Sequence, residues 1–193
     1  MNKLIKLFIA ISAVLLLSGS HTLRHIAADT VHQFHDPVIG VTCSAVMIEP
    51  EVALTARHCM EMISPVLTLD GIDYPVTEGF GNPALDLAIL IIPSAPCPCA
   101  VLPTTLIQEG EPVIVIGYPY GVGKVVTYGE FQGWVVIDGI LYGMTTAPAR
   151  PGNSGGGVFN SKGELIGIMT LADPTGYLTF FVSLEPLLKS PVK

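Results

Sequence analysis

A serine surrounded by glycines lies in the segment ARPGNSGGGVF, residues 149–159. Glycine loses more backbone freedom on folding than any other residue, so such a cluster indicates a loop with a special backbone shape. A serine hydroxyl is a weak nucleophile that needs an adjacent base and a third group to orient that base. The backbone N–H groups of Gly152 through Ser154 can converge on one point and stabilise an oxyanion. The segment therefore predicts acyl-transfer chemistry with Ser154 as the nucleophile.

The candidate base is His58, which follows an apolar run in LTARHCM and is the only histidine after residue 35. The candidate orienting acid is Asp86, which directly precedes the apolar run LAILII. An acid at the mouth of a buried strand needs a polar partner, and an imidazole N–H is a suitable one. The two aspartates of LDGID (69–73) flank a turn glycine and are weaker candidates.

The order of these three residues along the chain selects between two kinds of hydrolase. GNSGG also fits the G-x-S-x-G turn of α/β-hydrolases, but there the serine precedes the histidine. In this sequence no histidine follows Ser154. The order His58, Asp86, Ser154 is typical of the chymotrypsin-like arrangement.

The composition favours many short strands. Half of the 193 residues are hydrophobic and only 13% are charged, and 20 glycines and 16 prolines are spread without a repeat. Tight turns at this frequency predict an all-β chain. We expect two six-stranded antiparallel barrels, over residues 38–92 and 113–183, with the active site in the cleft between them. A proline-rich linker (93–112) would join them, and a short helix would follow at 184–190.

The first 20 residues predict a secretory signal peptide, with a basic start, an apolar run and cleavage after Ser20. The protein would then be exported to the periplasm or the extracellular space. The alternative is an uncleaved membrane anchor over residues 4–23, which is at the short edge of a spanning helix. Residues 21–37 contain four histidines that would share one face of a helix: His21, His25, His32 and His35. We interpret this segment as a solvated leader rather than as a metal site.

Four cysteines, Cys43, Cys59, Cys97 and Cys99, predict disulfides in an exported protein, with three possible connectivities. Pairing of Cys43 with Cys59 would close a loop of about 15 residues, worth roughly 3 kcal/mol, and would hold the neighbouring imidazole. Cys97 and Cys99 would be free or would pair with each other. CPC alone is weak support for zinc, so no metal or cofactor is expected.

The net charge of −7 becomes −9 once residues 1–20, with their two lysines and no acids, are removed. An acidic surface repels phosphate backbones, which argues against a nucleic-acid partner. We expect polypeptide substrates, and contact with a membrane only through the anchor alternative.

The motifs resemble those of the trypsin-like serine peptidases. LTARHC resembles their TAxHC histidine motif, DLAIL their aspartate strand and PGNSGGGVF their serine loop. Three further stretches are most similar to HtrA/Deg-type bacterial peptidases: GEPVIVIGYPYG (110–121), APARPGNSGG (147–156) and GELIGIMT (163–170). Secreted glutamyl endopeptidases share the GNSG loop and are the second relative. The resemblance covers about residues 38–188.

The resemblance implies a role for each residue of the site. His58 would act as general base and then general acid, Asp86 would orient it, and Ser154 would attack the scissile carbonyl. The N–H groups of Gly152 and Ser154 would form the oxyanion hole, with Asn153 between them.

The resemblance also implies where substrate binds. Thr170, Leu171 and Ala172 would lie along the bound peptide, and Pro148 and Ala149 would form the base or wall of the first specificity pocket. Leu171, Ala172 and Pro148 favour an apolar pocket for a small or medium aliphatic residue before the scissile bond. Asp173 nearby would instead favour a basic residue.

The departures from the family pattern shape the functional hypothesis. Digestive relatives have an aspartate before the serine that pairs with a newly cut N-terminus, whereas Asn153 has no charge. HtrA/Deg-type proteins usually carry a C-terminal PDZ domain, and because the sequence ends at Lys193 we expect none here. We expect an exported serine endopeptidase that works through an acyl-enzyme without N-terminal trimming. The alternative is a catalytically inactive peptidase fold that acts as a binding module.

Overall fold

The computed structural model describes residues 25–82 and 84–184, and these form a mostly β structure, as the sequence predicted. The strands are β1 (Val31–Asp36), β2 (Val41–Glu49), β3 (Val52–Ala56), β4 (Val66–Leu69), β5 (Ile72–Pro75), β6 (Glu78–Asn82), β7 (Leu87–Ile91), β8 (Pro112–Gly117), β9 (Val125–Ile137), β10 (Ile140–Thr145), β11 (Gly157–Asn160), β12 (Leu165–Ala172) and β13 (Thr179–Ser183). Residues 25–29 are helical, and two 3₁₀ turns, Arg57–Met60 and Pro119–Gly121, follow β3 and β8. The predicted signal peptide and anchor, and nearly all of the predicted helix at 184–190, lie outside the described residues.

The first lobe is a seven-stranded antiparallel sheet in the order β5-β4-β1-β2-β3-β7-β6. Its buried face carries large side chains such as Phe34, Met47 and Leu90. We predicted a six-stranded barrel here; the sheet is a half-barrel of seven strands with β5 and β6 at its edges, which is consistent with a chymotrypsin-like two-barrel fold. Both edge strands are polar or glycine-rich (IDYP and EGFGN), and Pro75 cannot donate to a further ladder.

Strand β1 corrects the interpretation of residues 21–37 as a solvated leader. It lies inside the first sheet, paired with β2 on one side and β4 on the other. His32 is buried, and His35 Nε2 lies 3.0 Å from the Thr68 hydroxyl. These two histidines are three residues apart in a strand, so they point to opposite faces and share no helical face. Among the described residues, no group of three or more His, Cys, Asp or Glu side chains could hold a metal ion.

The second lobe is a closed six-stranded antiparallel barrel in the order β10-β13-β12-β11-β8-β9, as predicted for this half of the chain. Its core contains Phe131, Phe159 and Phe181, all buried. The segment between β7 and β8 contacts both lobes, because Ala100 N–H donates to Met47 O (2.9 Å) and Leu165 N–H donates to Val101 O (2.7 Å). The two lobes are thus joined by hydrogen bonds as well as by the chain.

Two disulfides are formed. Cys43 on β2 is bonded to Cys59 in the first 3₁₀ turn, and Cys97 is bonded to Cys99. In the described part of the chain, no helix has the length and apolar character needed to cross a membrane.

Candidate active site

His58 lies in the 3₁₀ turn Arg57–Met60, directly after β3. Cys59, its neighbour, is buried and joined to β2 by the disulfide. The disulfide therefore anchors the turn, while the His58 side chain remains 45% exposed.

The pairing of two strands places Asp86 next to His58. β3 and β7 are antiparallel with Ala56 opposite Leu87, so the end of β3 lies beside the start of β7. Asp86 stands just before β7 with φ of 49°, a left-handed conformation that aspartate tolerates better than most residues. The N–H of Arg57 donates to the Asp86 carbonyl (3.1 Å), which closes this corner.

The Asp86 carboxylate holds the imidazole through its Nδ1. Nδ1 lies 2.9 Å from Oδ2 and 3.2 Å from Oδ1, and the backbone N–H of His58 donates to Oδ1 at 3.1 Å. A carboxylate can only accept, so Nδ1 carries the proton. In the neutral imidazole the other ring nitrogen, Nε2, is then the acceptor, which is the state that a general base needs.

Ser154 comes from the second lobe and is held against the first. Its carbonyl accepts the N–H of Ser44 on β2 at 2.8 Å, and the Cys59 sulfur lies 3.8 Å from the same oxygen. The turn that carries His58 thus contacts the Ser154 backbone directly. The Ser154 hydroxyl donates to the carbonyl of Thr170 at 3.3 Å.

A tight turn precedes Ser154. The N–H of Asn153 donates to the Arg150 carbonyl (3.0 Å), Pro151 is the second residue, and Gly152, the third, has φ of 98°. Proline second and a glycine with positive φ third are the features of a type II turn. The N–H of Asn153 is occupied inside this turn, so the N–H groups of Gly152 and Ser154 are the candidate oxyanion donors.

A cavity of about 620 Å³ opens beside Ser154. Four of the predicted substrate-binding residues line it: Ala149, Thr170, Leu171 and Ala172. Pro148 is absent from this lining, and its carbonyl accepts the Thr127 hydroxyl at 2.8 Å.

Arg150 also lines the cavity, and the sequence did not identify it. Its Nη1 donates to the Ala149 carbonyl at 2.8 Å, and its guanidinium lies 5.9 Å from the centre of the Tyr177 ring. Its place between Ala149 and Pro151 in the serine loop was the available signal.

Asp173 lines the cavity but directs its carboxylate into its own loop. It accepts the Thr175 hydroxyl (2.6 Å) and the N–H groups of Tyr177 (3.1 Å) and Leu178 (3.0 Å). The Thr175 hydroxyl, followed by the backbone N–H of Leu178, lowers the pKa of the carboxyl. Asp173 therefore stabilises the loop at 173–178 and is a poor partner for a basic substrate side chain.

Comparison with known proteins agrees with this geometry. The family described as Trypsin-like peptidase domain matches residues 43–168, more than half of the chain. The chain belongs to the trypsin-like peptidase family.

The curated relatives of this trypsin-like chain are HtrA/Deg-type proteins, which confirms the resemblance seen in the motifs. A putative serine protease HhoA from Synechocystis sp. is 31% identical over 140 residues, 65% of this chain and 36% of the relative. A probable periplasmic serine endoprotease, DegP-like, from Chlamydia pneumoniae is 29% identical over 149 residues, 72% of this chain and 30% of the relative. The chain thus spans about a third of the length of these relatives.

Solved structures show the same fold. A serine endoprotease from Yersinia pestis has a TM-score of 0.79 at 26% identity, over 88% of this chain and 64% of that one. The active form of the Rv3671c protease from M. tuberculosis has a TM-score of 0.76 over 89% of this chain and 86% of that one. Its 19% identity supports the fold alone.

Proposed function

We propose that this chain is a serine endopeptidase that hydrolyses peptide bonds with His58, Asp86 and Ser154. The observation that carries the proposal is the pair of contacts between the Asp86 carboxylate and His58 Nδ1, on the turn that touches the Ser154 backbone. Membership of the trypsin-like peptidase family supports it.

The proposed reaction begins when Ser154 Oγ attacks the scissile carbonyl and His58 Nε2 accepts the hydroxyl proton. The oxyanion of the tetrahedral intermediate accepts hydrogen bonds from the N–H groups of Gly152 and Ser154. His58 then gives its proton to the leaving amine, and the C–N bond breaks to leave an acyl-enzyme. Water, deprotonated by His58, attacks the ester and releases the carboxylate product, and the proton returns to Ser154. Asp86 stabilises the imidazolium in both halves.

Polypeptides are the proposed substrates, bound beside β12 at Thr170, Leu171 and Ala172. Leu171 and Ala172 are exposed at the end of that strand. The apolar residues of the lining, among them Ala149, Leu171 and Ala172, support a small or medium aliphatic residue before the scissile bond. The commitment of the Asp173 carboxylate to its own loop argues against a basic residue there.

Export is proposed on two grounds. Disulfides persist in oxidising compartments, and the two pairs of this chain fit the periplasm or the cell exterior. The Chlamydia pneumoniae relative is named a periplasmic endoprotease.

One observation favours the second candidate, an inactive peptidase fold that binds peptides. A hydroxyl has a single proton, and that of Ser154 is directed to the Thr170 carbonyl. Rotation about χ1 of Ser154 would release the hydroxyl from the Thr170 carbonyl, and on this ground we keep the enzymatic proposal first.

A serine-directed phosphonate probe decides between the two. We expect covalent labelling at Ser154 of the folded protein, mapped by peptide mass, together with casein cleavage. Ser154→Ala should abolish both. Asp86→Asn should lower kcat by about 10⁴-fold, because it leaves the geometry intact but favours the wrong histidine tautomer. Asp138→Asn is the matched control, because Asp138 is an exposed turn residue that also has a left-handed φ, of 50°. Folded protein that is neither labelled nor active would support the binding module.

A further inference from the structure

Three successive carbonyls of the serine loop are each held by a donor. Pro151 O accepts the N–H of Tyr120 (2.7 Å), Gly152 O accepts the Ser44 hydroxyl (2.8 Å), and Asn153 O accepts the N–H of Gly156 (2.8 Å). The donors of the first two bonds lie outside the loop, on the second 3₁₀ turn and on β2. The whole backbone of the turn is therefore fixed from several directions.

A hydrogen bond that holds a backbone carbonyl also fixes the direction of the N–H of the next residue, because both groups belong to the same peptide. The trans peptide is planar, so its C=O and N–H point in opposite directions. The bond from Tyr120 to Pro151 O sets the direction of the Gly152 N–H, and the bond from Gly156 to Asn153 O sets that of the Ser154 N–H. Type I and type II turns differ by a flip of the central peptide, which here would break the Tyr120 bond. These are the two N–H groups that the proposed oxyanion hole needs.

Ser44 connects the parts that hold this loop. It is fully buried on β2, and its hydroxyl donates to Gly152 O while accepting the N–H of Tyr118 at 2.9 Å. Its own N–H donates to Ser154 O, and its carbonyl accepts the Thr55 hydroxyl at 2.8 Å. One side chain thus links the first sheet, the second 3₁₀ turn and the serine loop.

The contact with Tyr118 extends the effect of Ser44 to the neighbouring peptide. Tyr118 precedes the turn Pro119–Gly121, and Tyr120 in that turn has φ of 54°, an uncommon value for a side chain of this size. This conformation presents the Tyr120 N–H to Pro151 O. The packing is close, since a Cβ on Gly152 would lie 2.4 Å from Tyr118 O and 2.7 Å from Tyr120 N.

We propose that Ser44 is a positioning residue of the oxyanion hole. Its hydroxyl fixes the Gly152 carbonyl, and with it the peptide that lies between the two donor peptides. The same hydroxyl binds the N–H of Tyr118, at the start of the turn from which the Tyr120 N–H aims the Gly152 N–H. The N–H groups of Gly152 and Ser154 therefore converge before substrate binds. Ser44 touches neither substrate nor the reacting atoms. It acts through the two oxyanion donors, so it stabilises the transition state. The proposal rests on the proposed serine endopeptidase function.

The test compares Ser44→Ala with the wild type, with kcat expressed per phosphonate-labelled site so that unfolded protein is not counted. Removal of one oxyanion donor lowers kcat by ~10²–10³-fold, and misorientation of a donor that remains should cost about 10- to 100-fold. We expect KM to change less than about twofold, because the peptide-binding strand is untouched. A peptidyl trifluoromethyl ketone, which forms the oxyanion adduct, should bind more weakly by the same factor as the loss in kcat.

Two further variants distinguish a positioning role of Ser44 from a general loss of structural stability. Ser44→Cys keeps the size of the side chain with a weaker donor, so its kcat should lie between those of Ser44→Ala and the wild type. Thr30→Val is the matched control, since Thr30 is buried in the first lobe and its hydroxyl donates to Ala27 O at 2.8 Å, away from the loop. It should lose stability but keep the wild-type kcat.

The results that would contradict the positioning role differ from those that would contradict the endopeptidase proposal. Wild-type kcat in both Ser44 variants, an equal loss in Thr30→Val, or a raised KM with unchanged kcat would overturn the positioning role and leave the endopeptidase proposal intact. A wild-type protein that neither cleaves casein nor accepts the phosphonate would overturn both.

Discussion

Two histidines of this chain have opposite surroundings. His58 is half exposed and donates from Nδ1 to the Asp86 carboxylate. His32 is buried on β1, and its Nε2 has no hydrogen-bond partner among the described residues. Burial, together with the charge of Lys124, lowers the pKa of His32 to about 4, against the opposing effects of Asp70 and Asp29.

The lowered pKa of His32 predicts acid sensitivity of the fold. Below pH 6.5 the unfolded chain takes up a proton that folded His32 does not bind, so stability falls as the pH falls towards 4. The slope is about 1.4 kcal/mol per pH unit, or about 3 kcal/mol over the whole interval. His32→Gln should remove this part of the loss, as measured by urea unfolding at pH 8, 6 and 4.5. Equal slopes in the variant and the wild type would contradict the assignment.

At the scale of elements, strand pairing and one disulfide bring the site together. The pairing of β3 with β7 places His58 beside Asp86, and the bond between Cys43 and Cys59 ties the histidine turn to β2. β2 also carries Ser44, which binds the serine loop. Removal of the disulfide between Cys43 and Cys59 should therefore alter the structure of both lobes.

Replacement of Cys43 and Cys59 by alanine should cost about 3 kcal/mol in the free energy of unfolding, because a closed loop of about 15 residues is released. Activity per folded molecule should also fall, since the base of the histidine turn loses its anchor. The matched control is the double alanine variant of Cys97 and Cys99, whose loop spans two residues in sequence and stabilises less. Unfolding in urea and casein cleavage measure the two effects, and similar losses in both variants would contradict this account.

Local sequence was sufficient to predict those features of the site that depend on residue type alone. His58 is the only histidine after residue 35, and Asp86 precedes an apolar run, so this pair could be predicted and the structure brings it together. Strand β1 could not be predicted, because VHQFHD is polar and becomes buried only through its pairing with β2 and β4. Arg150 was missed for a similar reason, since the cavity it lines is formed by the serine loop together with the end of β12 and the loop that follows it.

Over the whole molecule, the proposed active site depends on contacts between the two lobes. Ser44 of the first lobe holds both Gly152 and Ser154 of the second. These contacts are internal to the described fold and involve no chain terminus. Asn153 is buried and uncharged, and its Oδ1 has no hydrogen-bond partner among the described residues.

Activity should therefore not require a free N-terminus. A protein that begins at residue 21 with an added N-terminal tag should show the same kcat before and after removal of the tag. Asn153→Asp provides the complementary test, because it buries a carboxylate without a cation, which is costly and should reduce the fraction of sites that the phosphonate labels. If the tagged protein became active only after the tag was removed, the serine loop would depend on the new terminus, and the bonds from Ser44 and Tyr120 would be insufficient to hold it.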